Sequence, residues 1–162
     1  MQNILSLFQQ NQHEVFLVGA AARNFIQTQN WGIPGVVEFI AAVPRREFLN
    51  WKDLPLWGPL PPRGPIPIHV SIEGQPQLGY ITCVTPKPSP QEALKKCLLR
   101  RGFRLEAIAI DAAGKVIDPV GGVQDLKDGI LAPIKGAERS LFENNALDLL
   151  TIPKLVAELG IE

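Results

Sequence analysis

The apolar residues of this chain fall into short blocks whose spacing switches between two periods, and the switches predict a series of strands and helices. Ile4, Leu5 and Phe8 share one face of a short amphipathic helix over residues 3–9. Val15-Phe16-Leu17-Val18 is a compact apolar run closed by Gly19, which predicts a buried strand. Residues 20–29 are rich in helix formers and hold neither Pro nor Gly. The opening therefore reads strand, tight turn, helix. A second strand is expected over residues 36–43, between Pro34-Gly35 and Pro44. Ile66, Ile68, Val70 and Ile72 alternate with other residues in a third strand, and residues 78–84 form a fourth after a turn at Gln75-Pro76.

Proline is dense in residues 53–65. It removes ladder donors and favours extended polyproline II, so this stretch is expected to be an ordered surface loop between strands. Ser89-Pro90-Gln91-Glu92 is a helix start, with a capping hydroxyl, proline at the first helical position and Glu92 completing a capping box. Ala93, Leu94, Cys97, Leu98 and Arg101 fall on one face of that helix, and Gly102 ends it. A strand is expected over residues 103–110, turned by Asp111-Ala112-Ala113-Gly114 into Val116-Ile117. A short helix around residues 124–127 and a helix over residues 141–150 follow, after which Pro153 interrupts and residues 154–159 open a new helix. There is no internal repeat.

Composition narrows the class. The chain has 162 residues, enough for one domain with one core, and 46% are hydrophobic, as in an ordinary globular protein. Formal net charge is zero, which argues against a free-standing nucleic-acid binder of the usual basic kind and confines RNA contact to a local patch. No apolar run is long enough to span a bilayer, so no membrane role is expected, and Met1–Ser6 lacks the positive start of a signal peptide. Cys83 and Cys97 are too far apart in sequence for a CxxC zinc site and suggest no disulfide scaffold, so a cytoplasmic location is expected. Lone His13 and His69 read as structural, and Cys97 as core.

Three stretches, in order and spacing, carry a resemblance. Phe16-Leu17-Val18-Gly19-Ala20-Ala21-Ala22-Arg23-Asn24 resembles a strand followed by a Gly-Gly-x-Val-Arg-Asp turn. Residues 99–109, around Arg100-Arg101-Gly102-Phe103-Arg104, resemble an Arg-Arg-Asp-Phe-Thr-Ile-Asn-Ala segment. Gly114-Lys115-Val116-Ile117-Asp118-Pro119-Val120-Gly121-Gly122-Val123-Gln124-Asp125-Leu126 is nearly a clean match to Gly-x-Leu-Ile-Asp-Pro-x-Gly-Gly-x-x-Asp-Leu. Together they resemble the head domain of class II tRNA CCA-adding enzymes and bacterial poly(A) polymerases, from about residue 14 to the C-terminus. The resemblance implies an α+β nucleotidyltransferase fold of the polymerase-β type, a small mixed sheet flanked by helices. It makes residues 1–162 a single head domain, with neck-like helices beginning in 143–162.

The family's chemistry is an in-line displacement at phosphorus, with two divalent metals clamping the attacking and leaving oxygens. The resemblance implies an Asp-x-Asp pair on the strand after the first family helix, both carboxylates on one face. Here that pair aligns with Val36 and Glu38. Val36 has no ligating atom, and one carboxylate does not make a two-metal site. The Asp of the Arg-Arg-Asp motif is Gly102, its Thr is Arg104 and its Asn is Glu106; these last two are expected to alternate onto one strand face and pair. The base-reading motif falls on Asn144, Asn145 and Asp148, where amides and an acid replace the acidic pair and the arginine.

The expected function is therefore that of a catalytically inactive head domain, a pseudoenzyme used as a binding or scaffolding module for a protein partner, without a cofactor. Residual RNA nucleotidyltransferase activity is the first alternative, through Glu38 and magnesium. A noncatalytic RNA or nucleotide binder is the second, with weak RNA or tRNA contact. The nucleotide position survives as a vestige in Gly19, Arg23, Glu38, Arg100 and Arg101, since a helix N-terminus after Gly19 can hold an anion; the plain alternative is that Gly19 only permits the turn. Lys95, Lys96, Arg100, Arg101 and Arg104 form a basic patch, extended by Arg45 and Arg46 if the sheet brings them near. Trp31, Trp51 and Trp57 either form a partner surface with the proline-rich loop or pack that loop onto the sheet. Asp118, Asp125 and Asp128 read as turn and capping architecture, and the oligomeric state is open.

Overall fold

A computed structural model describes residues 2–30, 35–72, 74–136 and 146–160. The described residues form a six-stranded mixed sheet with helices on its two faces. In chain order the elements are α1 (Gln2–Gln10), β1 (Val15–Val18), α2 (Gly19–Thr28), β2 (Val37–Ala41), α3 (Arg45–Phe48), β3 (Ile66–Ile72), β4 (Gln75–Cys83), α4 (Pro90–Leu98), a 3-10 turn (Arg104–Glu106), β5 (Ala109–Ile110), β6 (Val116–Ile117), α5 (Gly122–Asp128) and α6 (Ala146–Leu159). The strand order is β3-β4-β2-β1-β5-β6. β2 runs parallel to β4, and every other pair is antiparallel.

Period-2 geometry sends alternate residues to opposite faces. Val15 and Leu17, Val37 and Phe39, and the four alternating residues of β3 pack with Ile4 and Phe8 of α1 and Phe25 of α2. Phe16, Val18 and Ile40 face the other way, against Leu94 and Leu98 of α4. A smaller cluster joins Phe103 and Leu105 to Leu155, with Ile152 and Leu159 packed on it.

The cap at Ser89 forms as expected, its hydroxyl accepting from the Glu92 N–H at 3.2 Å with Pro90 following. Three expectations need correction. The strand expected over residues 103–110 exists only at Ala109–Ile110, because the preceding backbone finds partners outside the sheet: Ala132 accepts from the Arg104 N–H at 2.9 Å, and the Ile134 N–H donates to Gly102 at 3.0 Å. β4 begins at Gln75 rather than after a turn; its outer partner is β3, with Ser71 opposite Pro76, and β2 joins only from Gly79, so Pro76 leaves no ladder bond unmade. Pro153 lies inside one continuous helix, α6, since Ile152, Leu155 and Leu159 recur at helical spacing and keep one face packed on Phe103 and Leu105. The proline-rich stretch lies between α3 and β3 and bends at residues 58–59 and 62–64.

That loop lines the outer edge of β3. The Trp57 N–H donates to Pro67 at 3.1 Å and the His69 N–H to Pro55 at 2.7 Å. Arg45, expected to widen the basic patch, instead donates to the carbonyls of Gly64 (2.6 Å) and Pro61 (2.5 Å) and holds the loop down. Trp51 packs edge-on against Phe8 and Phe48, with ring centroids 4.9 and 5.2 Å apart, so it belongs to the core; Trp57 is exposed beside His69. His13 is structural, its Nε2 2.8 Å from Glu47 Oε1 and its Nδ1 3.2 Å from the Ala42 carbonyl. Trp31 and the base-reading positions Asn144 and Asn145 lie outside the described residues, as does the side chain of Asp148.

Candidate functional site

β1 ends at Val18, and the chain turns at once into α2. Gly19 makes this turn at φ +69°, where a β-carbon is strained. The sheet register sets Val18 opposite Glu38 on β2, and Glu38 opposite Tyr80 on β4. The Glu38 carboxylate lies on Gly19: a β-carbon at Gly19 would come within 3.0 Å of Oε2 and 3.2 Å of Cδ. The missing side chain thus serves the close approach as well as the turn.

Arg101, just after α4, reaches the same place. Its Nη2 stands 3.4 Å from Glu38 Oε2, with the arginine side chain 22% exposed and the glutamate 49%. Together with Tyr80, Thr82 and Pro65 they line a cavity of about 230 Å³. Tyr80 and Thr82 were not singled out in the sequence, although the alternation of residues 78–84 places them on one face. Val36 lies just before β2 and is 43% exposed. Among the described residues, no group of three or more His, Cys, Asp or Glu side chains is arranged to hold a metal ion.

Of the residues read as a vestigial nucleotide position, Gly19, Glu38 and Arg101 come together. Arg23 is buried within α2, 4% exposed, and Arg100 is on the surface; neither lines the cavity. Lys95, Lys96 and Arg100 remain exposed at the end of α4.

Arg104 leaves the patch. It lies in the 3-10 turn and grips Asp125 of α5 through two nitrogens, Nε donating to Oδ2 at 2.6 Å and Nη2 to Oδ1. The expected pairing of Arg104 with Glu106 along a strand is replaced by this contact, because adjacent turns of a 3-10 segment do not present period-2 faces. The Asp125 hydrogen bond raises the Arg104 pKa above its ordinary value. The Asp118 carboxylate accepts from four successive backbone N–H groups, those of Val120 (3.3 Å), Gly121, Gly122 and Val123 (2.9 Å each). Gly122 packs on the Arg104 backbone so closely that a β-carbon would lie 2.7 Å from its carbonyl carbon. The residues 114–126 are thus architectural, welding α5 to the segment that carries Arg101.

Cys83 and Cys97 are muted. Burial pushes the Cys83 thiol up to about 11 against a weaker opposing pull from Arg45, and burial raises Cys97 too, against Arg101 and Arg100. Among the described residues, no helix is long and apolar enough to cross a membrane.

Comparison with known proteins agrees with this fold. Residues 77–132 match the family described as Poly A polymerase head domain. The Multifunctional CCA protein of Vibrio vulnificus is 39% identical over 72 residues, 44% of this chain and 17% of the relative. The CCA-adding enzyme of Geobacillus stearothermophilus is 37% identical over 68 residues, 42% of this chain and again 17% of the relative. The matched stretch is therefore a small part of those proteins. Among solved structures, the Bacillus stearothermophilus CCA-adding enzyme in complex with CTP superposes with a TM-score of 0.71 at 22% identity, covering 98% of this chain and 38% of that one. The Thermotoga maritima CCA-adding enzyme complexed with tRNA gives 0.68 at 19% identity, covering 94% and 36%. Residues 77–132 are thus similar in sequence to poly(A) polymerase head domains, and the chain shares the fold of the CCA-adding enzymes on which it superposes.

Proposed function

We propose that this head domain is catalytically inactive and works as a binding or scaffolding module for a protein partner, in the cytoplasm and without a cofactor. One observation carries the reading: the single carboxylate left at the expected metal position, Glu38, is held by the Arg101 guanidinium and packed on Gly19, beside an exposed Val36. A divalent metal needs several oxygen donors. Val36 supplies none, and Glu38 would have to release a cation to accept one. Magnesium does not fit this set.

The decisive experiment is an RNA-extension assay with ATP or CTP and magnesium, run on the parent and on a Val36→Asp, Glu38→Asp variant. No incorporation by the parent is expected. Metal-dependent extension by the parent would establish residual RNA nucleotidyltransferase activity and end the inactive reading.

A second reading, a noncatalytic RNA binder, is favoured by the exposed Lys95, Lys96 and Arg100, and by the tRNA bound to the Thermotoga maritima enzyme. It requires affinity for a tRNA acceptor stem that falls steeply with salt and is lost when these three residues are changed to Ala. Salt-independent or absent RNA binding leaves the protein-partner reading in place.

A further inference from the structure

Glu38 stands opposite Tyr80 and Ile40 opposite Thr82, so period-2 geometry turns Leu78, Tyr80 and Thr82 of β4 to the same face as Glu38 and Ile40 of β2. The helix α4 covers this face only over β1, β2 and β5. Among the described residues, the cluster beneath Leu94 and Leu98 includes nothing from β3 or β4. The β4–β3 side of the face is left open.

That open part is apolar. Leu78 and Tyr80 are 36% and 37% exposed, and Val36, two residues before Glu38, is 43% exposed. Trp57, 44% exposed, joins them at the outer edge: its ring is 6.4 Å from that of His69, which stands opposite Leu78. Four large apolar side chains on one side of three neighbouring strands form a patch, not the scattered exposure that is normal on a surface.

At the inner margin stand one anion and one cation, Glu38 and Arg101. Their contact is long, 3.4 Å, and engages one nitrogen of a guanidinium that carries several donors. Such a patch is complementary to its own copy. About a two-fold axis, Glu38 of each copy meets Arg101 of the other while apolar groups meet apolar groups. The formal net charge of zero adds no overall repulsion between copies.

We propose that the open face of β2, β4 and β3 docks a second copy of this chain, sheet on sheet, with Glu38 and Arg101 cross-paired about a two-fold axis. This names the partner in the scaffolding reading above and rests on that reading, since the paired face is then a protein contact. Parts of three strands make a small interface, so a weak dimer is expected, with a Kd on the order of 100 μM.

The test is sedimentation equilibrium of the whole chain at low salt, from about 5 to about 500 μM. The weight-average mass should rise from about one chain to about 1.7 chains over that range. Leu78→Lys should abolish the rise. Glu38→Lys and Arg101→Glu should each stay monomeric alone, whereas an equimolar mixture of the two should associate about as strongly as the parent, which a pair acting only within one chain would not produce. The substituted side chains are at the surface or its margin, and a thermal midpoint near the parent's certifies each variant's fold. The proposal is overturned by a single-chain mass at the highest concentration, by association that survives Leu78→Lys, or by a mixture that stays monomeric. Any of these leaves the inactive reading intact, whereas nucleotide incorporation by the parent refutes that reading directly.

Discussion

Glu38 and Arg101 are 63 residues apart in sequence and 3.4 Å apart in space. The contact forms because the β1–β2 register brings Glu38 over Gly19, while α4 delivers Arg101 to the same end of the sheet. Both side chains touch solvent, so the pair adds little to stability: exposed pairs contribute roughly 0–1 kcal/mol. Glu38→Gln and Arg101→Ala are each expected to shift the urea midpoint only slightly, with m unchanged, and a change beyond about 1 kcal/mol in either would contradict a surface-type pair.

The Arg104–Asp125 contact is expected to behave differently. The Asp125 side chain is 2% exposed and the Arg104 side chain 38%. Arg104→Ala strands a buried carboxylate, whereas Asp125→Ala leaves an arginine that can turn to water. Thermal unfolding should therefore show the larger loss for Arg104→Ala, on the order of 10 °C. A larger loss for the aspartate variant would mean that the carboxylate's burial is not the controlling cost.

Gly122→Ala tests the weld between α5 and the 3-10 turn. Its β-carbon meets the rigid Arg104 backbone, so the cost should be about 3 kcal/mol or more. Gly129→Ala is the control: φ is +65° with open space around it, and only the left-handed backbone cost of about 1–2 kcal/mol applies. Equal losses in denaturant titrations would show that the Arg104 backbone yields to the added methyl and that close packing does not set the cost at Gly122.

Cys83 sets a pH dependence. Its thiol ionises near 9 in the unfolded chain and near 11 in the fold. Below pH 9 both states hold the proton and the effect is absent. As pH rises through 9 to 11 the unfolded chain loses its proton first, so the stability contribution of this group falls. At pH 8 alkylation of Cys83 by iodoacetamide, followed by peptide mass spectrometry, should run about a hundredfold slower than for an unburied thiol. A rate like that of a free cysteine would mean the side chain is not buried in solution.

Much of the architecture is legible along the chain. The run Val15-Phe16-Leu17-Val18, the alternation of Ile66 through Ile72 and the Ser89-Pro90 start all appear where local pattern places them, because apolar period, a capping hydroxyl and proline's fixed φ act on neighbours in sequence. The strand expected through Arg104 is absent and Pro153 sits mid-helix because both outcomes turn on partners remote in sequence: the carbonyl of Ala132 in one case, the Phe103–Leu105 cluster in the other.

The same division runs through the candidate site. That position 36 carries Val, with no oxygen to offer a metal, is a property of the sequence alone and holds in any fold. That Glu38 faces Arg101 rather than a second carboxylate, that Arg104 serves Asp125 rather than a basic surface, and that Tyr80 and Thr82 join the cavity were decided by tertiary structure. Local pattern assigns a residue to an element and a face, but pairing between side chains depends on strand register and helix placement, which residues far apart in sequence set together.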